Sequence, residues 1–270
     1  MVRVEPGHSS PVLQGCQAYD PAVRLALAML TVLVASGCTA SFFQPHRSLI
    51  ATPERAGLRY ESVTLRAADG VELAAWSLPA EGEAQATVLF LHGNAENIST
   101  HFFNVAWMPA EGFNVLALDY RGYGASAGSP SLAGAQQDID AAVSTLLARP
   151  DVDPRRIVIF GQSLGGALAL HYAARGAHRG ALRAVVSDSA FADYRMIVPL
   201  RSIGGISPLP LVLIHGEKDP LVPAHHAQRL YEAAKAPKEL WMVPGVGHLQ
   251  SPQDPALRRR LSDYLRRAAK

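Results

Sequence analysis

Ile157-Val158-Ile159-Phe160-Gly161-Gln162-Ser163-Leu164-Gly165-Gly166-Ala167-Leu168-Ala169-Leu170 decides how this chain folds. Its first four residues are apolar and three are β-branched, which suits a buried strand. Its last four are alanine and leucine, the best helix formers. Between them Gly161-Gln162-Ser163-Leu164-Gly165 spells G-x-S-x-G. A strand that runs through such a pattern into a helix must turn sharply at the serine. The residues two before and two after it then approach too closely to carry a Cβ, which explains glycine at both. The bland alternative is a serine that caps a helix after a glycine loop.

Working outward, the neighbouring segments repeat the strand-then-helix rhythm. Short continuous apolar runs occur at Ala86–Leu91, Val115–Leu118, Ala184–Val186, Leu211–Ile214 and Leu240–Val243. Continuous rather than alternating apolar strands are expected where helices cover both faces of a parallel sheet. Ser131 heads a stretch in which Leu132, Ala135, Ile139, Val143 and Leu146 keep helical spacing. Further helices are expected after Ser163, from about Ala224 to Ala234 and over Pro255–Arg267. Upstream, Val63 and Leu65 alternate with polar residues, Asp69-Gly70 is a turn signal, and Val71-Glu72-Leu73 resumes the alternation. The expected fold is therefore α/β: a mostly parallel, doubly wound sheet with an N-terminal antiparallel hairpin, in one domain over 58–270.

A serine hydroxyl is a poor nucleophile unless a base lies within hydrogen-bond reach, itself oriented by a carboxylate. Where a G-x-S-x-G turn carries the nucleophile, the chain order is serine, acid, histidine, each just beyond a strand. Leu211–Ile214 runs into His215-Gly216-Glu217-Lys218-Asp219, and Leu240–Val243 runs into Pro244-Gly245-Val246-Gly247-His248. Ser163 as nucleophile, Asp219 as acid and His248 as base satisfy that order. Asp188 and Glu217 remain alternative acids. His215 is expected to bond within its own loop, His225 and His226 to lie at a helix start, and His92 to be a structural histidine at a strand end. The developing negative charge needs two backbone N–H donors. Leu164, at the head of the helix, and Asn94, in the loop after Ala86–Leu91, are the expected pair, with Ala95 the second choice for the latter.

Four segments carry a family resemblance: Leu91-His92-Gly93-Asn94-Ala95-Glu96-Asn97, Asp119-Tyr120-Arg121-Gly122-Tyr123-Gly124, Gly161 through Gly166, and His215-Gly216-Glu217-Lys218-Asp219. Together they resemble the α/β-hydrolases related to the Bem46 protein, over roughly residues 58–268. The resemblance implies the same serine, aspartate and histidine, and hydrolysis of a carboxylic ester or thioester through an acyl-enzyme. Peptidase, amidase or acyltransferase chemistry on the same residues stays open, as does a non-catalytic envelope binding module. One departure stands out. Only about 20 residues separate Phe191 from the strand at Leu211, where relatives carry two helices or a small cap, so a minimal cap and an open acyl pocket are expected. Asp119 and Arg121 are read as fixing their loop.

Composition closes off other classes. Apolar residues make up 49% of the chain and charged residues 18%, with a net charge of +2. That balance implies no nucleic-acid partner, and no basic run interleaves with aromatics. No metal cluster, dinucleotide fingerprint or phosphate loop occurs, so no cofactor or metal is expected. Both cysteines, Cys16 and Cys38, precede the domain. Leu25–Ala35 is an apolar run interrupted only by Thr31, preceded by Arg24 and followed by Ser36-Gly37-Cys38. It is too short to span a bilayer and has the size of a signal-peptide core. Small-small-Cys resembles the lipobox of bacterial lipoproteins. Residues 1–38 are accordingly read as a leader, Cys38 as a lipidation site and residues 39–57 as a tether. The partners expected are a small-molecule or lipid ester and, through Cys38, a membrane of the cell envelope. A cleaved ordinary signal or a retained anchor are the alternatives.

Overall fold

The computed structural model describes residues 42–194 and 199–270. The expected leader and the expected lipidation site, Cys38, lie outside them. In chain order the strands are β1 (Gln44–Pro45), β2 (Glu61–Arg66), β3 (Glu72–Leu78), β4 (Ala86–Leu91), β5 (Ala95–Glu96), β6 (Phe113–Leu118), β7 (Ile157–Gln162), β8 (Leu182–Asp188), β9 (Leu211–Gly216) and β10 (Lys238–Val243). The four long helices are α1 (Leu132–Ala148), α2 (Leu164–Arg175), α3 (His225–Ala233) and α4 (Pro255–Ala268).

Eight strands form one sheet in the order β10-β9-β8-β7-β4-β6-β3-β2. From β10 through β6 every pairing is parallel, while β3 runs antiparallel to both β2 and β6. Successive side chains of a strand point to opposite faces, and the buried strands use both. Leu89, Leu91, Ile157 and Ile159 join the core beneath α1, α2 and α3. Val88, Phe90, Val158 and Phe160 join the other, against α4. That is why these strands read as unbroken apolar runs. Helix α4 contributes Leu257, Leu261 and Leu265, one every four residues and all buried. Each such side chain is worth about 1.5–3 kcal/mol of burial.

Local signals act as anticipated at the helix starts. Ser131 accepts a hydrogen bond from the Gly134 N–H and caps α1, and Asp254 caps α4 through the Ala256 N–H. The segment after Phe191 holds two single 3-10 turns among the described residues, Pro199–Arg201 and Ile203–Gly205, and no longer helix.

The tether reading needs correction from Phe42 onward. Residues 42–50 form a strap bound to the domain. Phe43 is buried, and β1 pairs in parallel with β5. Asn97 donates from its side-chain amide to the carbonyls of His46 (2.8 Å) and Ser48 (2.9 Å). Arg47 donates to the Ser126 and Gly128 carbonyls. A tether leaves its backbone to water; this one gives its backbone groups partners in the domain. Only residues 39–41 separate Cys38 from the strap.

Candidate active site

The turn between β7 and α2 is as tight as its glycines require. A Cβ on Gly161 would stand 2.1 Å from the Gly165 carbonyl oxygen, and one on Gly165 would stand 2.1 Å from the Leu91 carbonyl oxygen. Ser163 itself has φ 51° and ψ −112°, in a region that costs a non-glycine residue about 1–3 kcal/mol. Two backbone hydrogen bonds hold the turn: Ser163 N–H to the Asp188 carbonyl at 2.9 Å and Gly165 N–H to the His92 carbonyl at 3.1 Å. The second sets the start of α2 directly against the loop that carries Asn94.

His248 and Asp219 meet at the ends of β10 and β9. His248 Nδ1 lies 2.7 Å from Asp219 Oδ2. A carboxylate only accepts, so Nδ1 carries the hydrogen and Nε2 keeps its lone pair. The other carboxylate oxygen, Oδ1, accepts from the N–H groups of Leu221 (2.9 Å) and Val222 (2.8 Å). The Asp219 side chain is fully buried, whereas that of His248 remains 14% exposed. The two loops interlock: Lys218 N–H donates to the Val246 carbonyl and Glu217 N–H to that of Val243. His215 donates from Nε2 to the Val222 carbonyl at 2.7 Å, bonding within its loop as expected.

Asp188 sits elsewhere in the network. Its side chain accepts from Gln162 Nε2 (2.9 Å), Ser251 Oγ (2.5 Å) and Ser189 Oγ (3.0 Å). Burial is the largest influence on its carboxyl and pushes its pKa up, against those three donors. Asp188 therefore ties the residue before Ser163 to a residue three beyond His248, and His248 is oriented by Asp219 alone of the two. Neither the serine-bearing turn nor the histidine loop can shift without disturbing this buried junction.

Leu164 heads α2, where the first-turn N–H groups lack intrahelical acceptors. Among the described residues neither the Leu164 nor the Asn94 N–H has an acceptor. The side chain of Asn94 is fully used: Oδ1 accepts from Gln44 N–H (3.1 Å) and Tyr123 Oη (2.9 Å), and Nδ2 donates to the Phe42 carbonyl (2.8 Å). Tyr123 is held neutral by burial, which raises its pKa, so it donates. His92 is fully buried, with Nδ1 2.7 Å from the Gly93 carbonyl. Its Nε2 approaches Asp119 at 3.3 Å without hydrogen-bond geometry. The Arg121 guanidinium bridges Asp138 (2.8 Å) and Asp69 (2.6 Å), and the Asp119 carboxylate accepts from Ile98 N–H. Both fix their loop as read from the sequence.

Sequence reasoning missed three participants. His101 lies beside the loop that carries Asn94, with Nε2 3.0 Å from the Ala95 carbonyl. Burial above all, then the neighbouring His92, lowers its pKa to about 4. Ser251 and Asn97 were likewise unassigned. Asn97 stood inside the Gly93-Asn94-Ala95-Glu96-Asn97 segment, where a second asparagine three residues after the first was the available signal.

A doubly wound sheet, a strained serine turn and a paired histidine and aspartate in that chain order define an α/β-hydrolase. A family profile described as serine aminopeptidase, S33, matches residues 82–204. YfhR of Escherichia coli K12 is 41% identical over 214 residues, covering 72% of this chain and 75% of its own. The bem46 protein of Schizosaccharomyces pombe is 31% identical over 233 residues, covering 77% of each. Among solved structures, the Pyrococcus furiosus esterase Pf2001 superposes with a TM-score of 0.70 at 25% identity, covering 83% of this chain and 99% of that one. The chain belongs to the α/β-hydrolase family that includes YfhR and bem46.

Proposed function

We propose that this hydrolase cleaves carboxylic esters or thioesters through an acyl-enzyme. The observation that carries the reading is the 2.7 Å contact of His248 Nδ1 with buried Asp219, on a histidine loop tied through Asp188 to the turn of a serine held in strained backbone. With Nδ1 bound to Asp219, His248 Nε2 takes the Ser163 hydroxyl proton as Oγ attacks the substrate carbonyl carbon. The carbonyl π electrons move to oxygen, and the Leu164 and Asn94 N–H groups stabilise that charge. As the carbonyl re-forms, the alcohol or thiol leaves with the proton from His248. Water then repeats the sequence on the acyl-enzyme, and Ser163 is released with its proton restored. Losing one oxyanion donor typically costs about 3 kcal/mol in the transition state.

Fluorophosphonate labelling tests this reading. The wild-type protein is expected to label and Ser163→Ala to remain blank. A folded wild-type protein that does not label would remove the enzyme reading and favour a non-catalytic module.

The matched profile's description favours one second reading, removal of N-terminal amino acids on the same residues. Such a site needs an anionic partner for the substrate ammonium. The carboxylate of Asp188 is buried and engaged by Gln162, Ser189 and Ser251. Comparing aminoacyl and acyl p-nitrophenyl substrates separates the two.

Cys38 as a lipidated anchor in the cell envelope completes the proposal. Among the described residues no helix is long and apolar enough to cross a membrane. Retention in the membrane fraction that is lost in Cys38→Ser is the expected result; an unchanged distribution would refute lipid anchoring.

A further inference from the structure

The strap brings Phe42 against two aromatic residues of the loop after β8. Phe42 lies 6.3 Å from Phe191 and 5.4 Å from Tyr194, ring centroid to centroid, and Phe191 lies 5.8 Å from Tyr194. The three rings close a triangle. Phe191 is buried, while Tyr194 keeps 47% of its surface exposed.

Hydrogen bonds of residues near the triangle link both of its flanks to the Ser163 turn. On one side, the Phe42 carbonyl is held by Asn94, two residues past His92, and the His92 carbonyl is bonded by Gly165 N–H. On the other, Phe191 follows Asp188 by three residues, and the Asp188 carbonyl is bonded by Ser163 N–H. The stretch after Phe191, where relatives place a cap, supplies only 3-10 turns among the described residues. Phe43 is buried in the core, and Phe42, partly buried against it, also reaches the short loop after β8.

We propose that Phe42, Phe191 and Tyr194, fixed by the strap's bonds to Asn94 and Asn97, form the wall that receives the substrate's acyl chain. The substrate is then an ester of an extended apolar acid rather than of acetate. This rests on the serine-hydrolase reading above. Each methylene buried on such a wall multiplies kcat/KM by about fourfold, and two or three of them by about 15- to 60-fold.

The test uses the full chain and p-nitrophenyl esters from acetate to octanoate, with fluorophosphonate labelling and thermal unfolding in parallel. The wild-type octanoate-to-acetate ratio of kcat/KM is expected to exceed about 15, and Phe42→Ala and Tyr194→Ala each to lower that ratio at least about fourfold. Tyr194 is half exposed, so its truncation leaves the core intact. A ratio unchanged in both variants, or a wild type that prefers acetate, overturns the wall. A variant that loses turnover on all esters in proportion reports a structural role and also overturns it. A folded wild type with neither labelling nor turnover instead removes the hydrolase reading, and the wall with it.

Discussion

Gly165→Ala is the sharpest test of the site geometry. The added methyl would lie 2.1 Å from the Leu91 carbonyl oxygen, 2.5 Å from its carbon and 2.6 Å from the His92 oxygen. All three are backbone atoms in or beside a central strand, so no side chain can rotate away. Reaching an ordinary contact of 3.4 Å requires α2 and the loop to part by about 1.3 Å (3.4 − 2.1), and interiors resist such shifts. That separation moves the Leu164 N–H away from the Asn94 N–H and stretches the Gly165 hydrogen bond to His92. A misplacement of ~1 Å in a catalytic constellation costs about 100-fold. Overpacking adds about 1–3 kcal/mol of destabilisation, or roughly 2–12 °C in Tm for a domain of this size. The expected outcome is a kcat/KM at least about 100-fold below wild type, with a lowered Tm, by ester hydrolysis and differential scanning fluorimetry. Gly180→Ala is the control: nothing lies within 4 Å of its Cβ position, and it should stay within about 0.5 kcal/mol of wild type. A Gly165→Ala protein with wild-type turnover and Tm would refute the close approach and the oxyanion pairing built on it.

Asp219→Asn should lower kcat by about four orders of magnitude, because an amide in that place favours the wrong histidine tautomer. Asp188→Asn should retain turnover, since an amide oxygen can still accept from Gln162 and Ser251 while its NH2 donates to Ser189; the reverse pattern would exchange their roles. The lowered pKa of His101 predicts a stability change with a definite sign. Between pH 6.5 and about 4 the unfolded chain takes up a proton that the folded one refuses, so Tm should fall as pH drops through that window. His101→Gln, which can still donate to the Ala95 carbonyl, should flatten the fall; an unaltered profile would show that His101 does not cause it. Asn97→Ala removes bonds to His46, Ser48 and Ser99 and should cost about 2–4 kcal/mol. Limited proteolysis should then cut first within residues 42–57, and a cleavage pattern like that of wild type would count against the clamp.

The sheet was legible because its signals are local or periodic. β4 matched its apolar run to the residue, and the serine turn was readable because two glycines mark a clash that only three-dimensional closeness explains. His248 and Asp219 were singled out by chain order, by their place just beyond strands and by the family resemblance. The strap was not legible, for a physical reason. Residues 42–50 carry no periodicity of their own, and their order comes from partners about 50 or more residues away, such as Asn94 and Asn97. Polar composition therefore read as a tether. The Asp188 junction was hidden likewise: its donors, Gln162, Ser189 and Ser251, come together only when β7, β8 and the loop after β10 are side by side.

The strap's attachment also bears on where this protein can be cut. The domain expected from the sequence begins at Leu58, which makes that residue look like a natural starting point for a trimmed protein. Trimming there would remove Phe42 and the carbonyls of His46 and Ser48, leaving the amides of Asn94 and Asn97 to water. The loop carrying Asn94 and Asn97 would then lose its outer brace and the core would lose Phe43, while the eight-stranded sheet kept all its strands. A shortened protein of that kind is expected to lose stability as well as turnover, and low activity in it would say nothing about the substrate.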